Sequence, residues 1–483
     1  MRAPSAVPGT AERSAARRLV PWLTLAAAAA ILLWPAVLNG YPLVYDDTGT
    51  YILSGFHPEV PVDRPVTYGL FLRVASAGSQ PWLVVVAQAL LLAWALQRAF
   101  SLATGRSSPG AAVALALAGA CLGGAGIAAS ELMPDVFTAL VIVSMAAVLG
   151  LELSRRDLVA FGALLWLALV VHLSHLNLAV ALLLLAGGWN LAARRARFRF
   201  APRRLALIAV ITVSAWLTIP TTHALMGGGF TLARGGTVFL VGRMAANGIL
   251  ADVLGARCAE ARWRLCAYQD RLPMTTDEFA WSPSSPLYLT GGWTDENFAE
   301  FRDILRASVR TRSGLARHVR EAASASAQQL LLVSPTRWIR PLADPSFYAV
   351  AETRRWLPRA FPAYMRAAQQ RGALHLRWLD EVQWVALALA ASALGVAGAS
   401  RAARSAAARA WPFAALLVAG TVSNAVVCAS LSNPQDRYQY RVVYLLLIAA
   451  MTVWGAIAAR ARTVERVAAG AVGAARTDPG ARG

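Results

Sequence analysis

Ten apolar runs, each approaching the roughly 20 residues a helix needs to cross hydrocarbon, punctuate this chain and decide its class before any motif does. They fall at residues 19–38, 82–96, 111–129, 136–151, 158–171, 176–189, 205–219, 382–399, 412–428 and 442–459. Lipid offers no partner to a bare backbone N–H or C=O, so runs of this kind predict helices that satisfy themselves. Composition agrees, with 57% of the residues apolar and only 15% charged. The expected fold class is therefore all-α: a polytopic membrane bundle of about ten transmembrane helices, carrying a large, mainly helical extracytoplasmic loop domain.

The formal charge of +20 rests on 46 basic residues, all of them Arg. A nucleic-acid partner is not implied, because the Arg residues sit in short clusters between apolar runs, where lipid headgroups and the positive-inside rule account for them. Arg13, Arg17 and Arg18 precede the first run, and Arg98 with Arg106, Arg155 with Arg156, and the stretch from Arg194 to Arg204 follow alternate runs. Arg401, Arg404 and Arg409, then Arg460, Arg462 and Arg466, continue the alternation. Both termini are thus expected in the cytoplasm, and the first run reads as an uncleaved signal anchor. The apolar stretch 157–190 must divide at His172-Leu173-Ser174-His175 into two short helices, since Arg-rich segments flank it on both sides.

Four segments follow: an N-terminal transmembrane module with acidic outer loops (1–222), an extracytoplasmic domain (223–380), C-terminal membrane helices (381–460) and a disordered Gly/Ala/Arg-rich cytoplasmic tail (461–483). Within 223–380, Cys258 and Cys266 lie close together on the side where disulfides persist, so a bridge between them is expected. A helix is expected after Thr294, with Phe298, Phe301, Ile304, Leu305 and Val309 on one face that packs on the domain or lies on the membrane surface.

Residues suited to chemistry gather in the outer loops. Tyr45-Asp46-Asp47-Thr48-Gly49-Thr50-Tyr51 follows the first run directly, placing two carboxylates near headgroup level, where one can take a proton from a hydroxyl or merely cap the next helix. Arg64 in the rigid Pro61–Pro65 segment is a candidate phosphate clamp, or else a headgroup anchor or partner of Asp63. The short loop Ser130-Glu131-Leu132-Met133-Pro134-Asp135 holds two more acids, with Asp135 suited to a helix N-terminus and the pair able to hold a divalent ion, although no ligand spacing demands one. His172 and His175 stand three apart at an outer turn and are read as contacts to donor or acceptor. In the last outer loop, Ser432 to Arg441, Arg437 and Arg441 bring two guanidiniums to the side where the charge rule disfavours them, making Arg437, followed by Tyr438, a second phosphate clamp or else an interface anchor.

This arrangement resembles the GT-C superfamily of membrane glycosyltransferases, which includes protein O-mannosyltransferases and lipid A aminoarabinose transferases. The acidic motif of the family's first outer loop matches Asp46 and Asp47, followed by Tyr51; Glu131 and Pro134-Asp135 resemble its second acidic site, and Arg437-Tyr438 an Arg-Tyr motif before the last helix. The 223–380 segment matches no member and stands outside the resemblance. The resemblance implies transfer of a sugar, with inversion, from a polyprenyl-phosphate donor to an extracytoplasmic lipid, glycan or protein acceptor at a bacterial inner membrane. Asp46 is the first choice for the base, and arginines stabilise the departing phosphate; no cofactor is assigned, with a divalent cation the one candidate. The competing readings are a lipid or polysaccharide transporter, which should carry polar groups at mid-membrane depth, and an inactive envelope scaffold of the same fold.

Overall fold

A computed structural model describes residues 10–193 and 199–476. Residues 194–198, within the Arg-rich stretch, and 477–483 of the tail lie outside the described residues. The chain is 74% helix, and among the described residues there is no strand. Six helices are long and apolar enough to cross a membrane: Pro81–Thr104, Leu173–Ala192, Pro202–Leu225, Trp378–Ala399, Trp411–Leu431 and Asp436–Arg466. Three further apolar helices, Leu19–Leu32, Pro109–Cys121 and Asp135–Gly150, are shorter. Six helices thus reach spanning length among the described residues where ten were expected, and the shorter apolar helices do not reach it.

Asp135–Gly150 shows why. Every residue from Asp135 to Leu149 is buried, so this 16-residue helix touches protein on all sides and needs no lipid-facing length. At 1.5 Å per residue it spans about 24 Å, less than the hydrocarbon core. Pro81–Thr104, Arg155–Val170 and Trp411–Leu431 form its main surround. Gly420 lets the last of these approach, since a Cβ there would collide with Ile142.

The run expected at 111–129 breaks into Pro109–Cys121 and Ala125–Ser130, with Gly123 and Gly124 at the interruption. A Cβ on either glycine would run into Tyr444 or Tyr440, so the break is where the short helix Asp436–Val443 and its C-cap press in. The stretch 157–190 parts at Val171–His172 into Arg155–Val170 and Leu173–Ala192. The tail departs from expectation: the last helix, Leu445–Arg476, continues to Arg476, as its Ala- and Arg-rich sequence favours.

The 223–380 segment splits between two cores. Val238, Val241, Leu250, Phe279, Phe298, Phe301 and Ile304 close on one another as a small separate core. Helices Gly236–Ala246 and Ile249–Ala261 meet there at a 99° bend, at Gly248, whose φ of +78° suits glycine. Phe298, Phe301 and Ile304 face this core, whereas Val309 is exposed. Cys258 and Cys266 are joined in a disulfide alongside it. From Leu342 onward, by contrast, Val350, Leu357, Tyr364, Leu376 and Leu379 belong to the core of the membrane bundle. That second part buttresses the loop that bears Asp46 and Asp47.

Candidate active site

The loop that bears Asp46 and Asp47 is fastened on both sides before its acids come into play. Leu43 N–H donates to Ser130 O at 2.8 Å and Leu132 N–H to Leu43 O at 3.0 Å, a parallel bridge that ties the two acidic loops together. Opposite, the Gln369 amide accepts from Val44 N at 3.2 Å and donates to Val44 O at 2.8 Å. Tyr45 N–H donates to Thr48 Oγ1 at 2.9 Å, turning the chain into helix Thr48–Phe56. Asp47 occupies the N-cap position of that helix, yet its side chain makes no cap hydrogen bond. It is drawn off by arginines.

Those arginines and the acids of three loops form a ladder of alternating charge. Arg64 Nη2 donates to Asp63 Oδ2 at 2.6 Å and to Asp47 Oδ1 at 3.0 Å. Arg437 Nη1 donates to the other oxygen of Asp47 at 2.9 Å, while its Nε and Nη2 form a fork on Asp135 at 3.2 and 2.9 Å. Arg441 Nη1 completes the series on Asp135 Oδ1 at 3.1 Å. Three carboxylates thus face three guanidiniums, and the ladder is formally neutral. Burial opposes ionisation of Asp47, but Arg64 and Arg437 outweigh it and hold the carboxyl well below the usual carboxylate range. Aromatic faces complete the setting: Arg437 lies 4.1 Å from the Tyr45 ring centroid, and Arg64 5.2 Å from that of Tyr51.

Glu131 behaves differently. It is 1% exposed and meets the Tyr440 hydroxyl instead of a cation, while Gln88 Nε2 donates to its backbone oxygen at 2.8 Å. Burial raises its carboxyl well above the ordinary value, and nearby Asp135 adds to the effect. His175 is buried between Thr138 Oγ1 at 2.8 Å and Ala168 O at 2.6 Å, and His172 Nδ1 lies 2.8 Å from Ser174 Oγ. The two imidazoles are 5.2 Å apart and pack as structural neighbours of the central helix. Among the described residues no three His, Cys, Asp or Glu side chains gather to hold a metal ion.

The sequence-derived set therefore divides. Asp47, Arg64, Asp135 and Arg437 converge in one network, with Glu131 close by. Arg64 and Arg437, expected as clamps for phosphate, already spend their forks on carboxylates. Tyr438 turns its hydroxyl to Ser432 Oγ at 3.3 Å and lays its ring beneath Arg441. Asp46 points the other way, 40% exposed at its side chain, and accepts from Arg340 Nη2 at 2.7 Å. Arg340 also borders a cavity of about 600 Å³ shared with Thr336, Gln369, His375, Arg377 and Trp378.

Sequence reasoning gave Arg441 no role beyond its charge and passed over Tyr440, Arg340 and Gln369. Arg441 had a signal, standing one helical turn beyond Arg437 on the same face. Arg340 and Gln369 had none, because their partners lie some three hundred residues away. No known protein family, curated protein or solved structure matches the chain. The GT-C resemblance accordingly rests on the residues themselves.

Proposed function

We propose that this protein is an integral membrane glycosyltransferase of GT-C type, moving a sugar from a polyprenyl-phosphate donor to an extracytoplasmic acceptor, with both termini in the cytoplasm of a bacterial cell. The observation that carries the reading is the division of labour between adjacent acids. Asp47 is locked between two guanidiniums that favour its charged form, whereas Asp46 is accessible and pairs with Arg340, which borders a basic cavity. A general base has to reach its substrate, and Asp46 is the one that can.

In the proposed reaction Asp46 accepts the proton of an acceptor hydroxyl as its oxygen attacks the anomeric carbon from the face opposite the phosphate. The bond between that carbon and the phosphate oxygen breaks with inversion, and the electrons leave on the lipid phosphate, whose charge a guanidinium at the cavity offsets. Asp47, Asp135 and the arginines between them hold the loop in place. The absence of ionised side chains from the middle of the central helix favours this reading over transport, since the ladder occupies helix ends.

The test is transfer from a radiolabelled polyprenyl-phosphate sugar by purified protein. Asp46→Asn is expected to lower the rate by about 10²–10⁴-fold while leaving the fold intact. Undiminished transfer would remove Asp46 from the chemistry, and a wild-type protein inert toward every lipid-linked sugar tried would favour the scaffold.

A further inference from the structure

Within the segment that stands outside the GT-C resemblance, helix Arg312–Leu331 packs along the membrane-length helix Trp411–Leu431, with Ala325, Ser326 and Gln329 buried. Small side chains let two helices approach closely. At the end of the helix Gln329 Nε2 donates to Gln435 O at 2.7 Å and Gln329 Oε1 accepts from Gln435 N at 2.8 Å, two residues before Arg437. Nearer its start, Arg317 Nη2 donates to Asn247 O at 3.1 Å and His318 Nε2 lies 2.9 Å from Ser308 Oγ. The helix thus ties the helices of the small core to the loop that bears Arg437.

Its outward side carries a regular pattern. Leu315, Val319, Ala323, Ala327 and Leu331 recur at every fourth residue and all are exposed, Val319 by 63% and Leu331 by 67%. Arg310, Arg312 and Arg320 are exposed around this stripe, and among the described residues none of the three has an ion-pair partner, whereas Arg306 and Arg317 pair with Asp303 and Asp252. Trp411–Leu431 keeps Val422 and Val426 exposed, as a helix facing lipid does. An apolar stripe edged by arginines, on a helix held against a membrane helix, suits the boundary between headgroups and acyl chains. Crossing the bilayer is ruled out by Arg312, Arg317, His318, Arg320 and Glu321, which crowd the first half of the helix and are too costly to carry into hydrocarbon. Lying in the interface lets the arginines reach phosphate while their stems and the stripe stay in apolar surroundings.

We infer that Arg312–Leu331 is a membrane-surface anchor on the side of the acidic loops, with Leu315, Val319, Ala323, Ala327 and Leu331 among acyl chains and Arg310, Arg312 and Arg320 against the phosphates of anionic phospholipids. Positive charge alone would suit any acidic partner; the apolar stripe beside a membrane helix selects lipid. The anchor goes beyond the transferase reading and does not depend on it. Through Gln329 and Gln435, contact with the bilayer steadies the loop that bears Arg437.

The experiment places a nitroxide label on the full chain in phosphatidylglycerol nanodiscs and compares its collisions with oxygen, which favours hydrocarbon, and with a water-soluble nickel chelate. A Cys121→Ser background leaves the introduced thiol alone to react, since Cys428 is buried and Cys258 and Cys266 are bridged. Labels at Val319→Cys and Ala327→Cys should meet oxygen more often, and a label at Asp303→Cys, on the preceding helix, should meet nickel more often. All three positions are exposed, so the thermal midpoint should not move. Arg312→Glu combined with Arg320→Glu, or nanodiscs of phosphatidylcholine alone, should shift the label at Val319→Cys toward nickel, and Arg320→Lys should not. Nickel collisions at Val319→Cys and Ala327→Cys equal to those at Asp303→Cys would overturn the anchor. Exclusion of both reagents with dipolar broadening between labels would overturn it too, by showing that a second copy of the chain covers the stripe. An oxygen preference that persists unchanged in phosphatidylcholine would overturn the assignment to anionic lipid.

Discussion

Arg437 joins three parts of the chain, since one guanidinium holds Asp47 from the first loop and Asp135 from the start of the central helix. Replacing it with Ala leaves the fully buried Asp135 with Arg441 alone, so Arg437→Ala is expected to cost about 3–5 kcal/mol, read as a fall in thermal midpoint in detergent. Lysine should recover little, because an ammonium cannot form the fork. Glu131 offers a second prediction at this scale. Its carboxyl is raised by burial, so between the unfolded value and the higher folded one the native state holds a proton that the unfolded chain has lost. Stability should therefore decline as pH rises through a window opening at about pH 4.5, and Glu131→Gln should flatten that decline. A wild-type midpoint that is constant from acid to neutral pH would contradict this. The acids of this site were legible in the sequence because each sits in a short polar loop between long apolar runs. Their partners were not, for an ion pair between Asp46 and Arg340 leaves no trace in local spacing.

Among the elements, hydropathy located the helices well and their lengths less well. It cannot distinguish a helix that faces lipid from one enclosed by other helices, and 136–151 is the enclosed one, shorter than the six helices of spanning length. Nor did the apolar run at 111–129 betray the bend at Gly123 and Gly124, whose cause is the bulk of Tyr440 and Tyr444 from the far end of the chain. Close approach of helices around the centre yields a third prediction: Gly420→Leu forces its side chain into Ile142 and should destabilise by about 1–3 kcal/mol, measured by thermal unfolding. The Cys258–Cys266 disulfide closes a short loop, with a separation of 8 residues, and its removal by paired Ser substitution should cost about 2–3 kcal/mol. Limited proteolysis should register that loss in 238–305 first, because the bundle core is separate.

For the molecule as a whole, the segment between the membrane helices reads as one polar insertion in the sequence yet serves two bodies. Its first part folds on itself, and its second part is drawn into the bundle, where Gln369 and Tyr364 brace the loop that bears Asp46. Asn39 receives Ala368 N–H at 2.9 Å and Gln369 N–H at 2.6 Å, so the first and last thirds of the chain meet beneath the site. Excision of 340–370 should therefore abolish folding of the loops that bear Asp46 and Glu131, and with it the proposed transfer, whereas loosening 238–305 should spare the bundle. The charge ladder has a final consequence. Asp63, Arg64, Asp47, Arg437, Asp135 and Arg441 already sum to zero, so an anion that settles among them must dislodge an acid or arrive together with a hydrogen ion. Electroneutrality itself keeps loose phosphate out of the interior, which agrees with the proposed chemistry taking place at the rim.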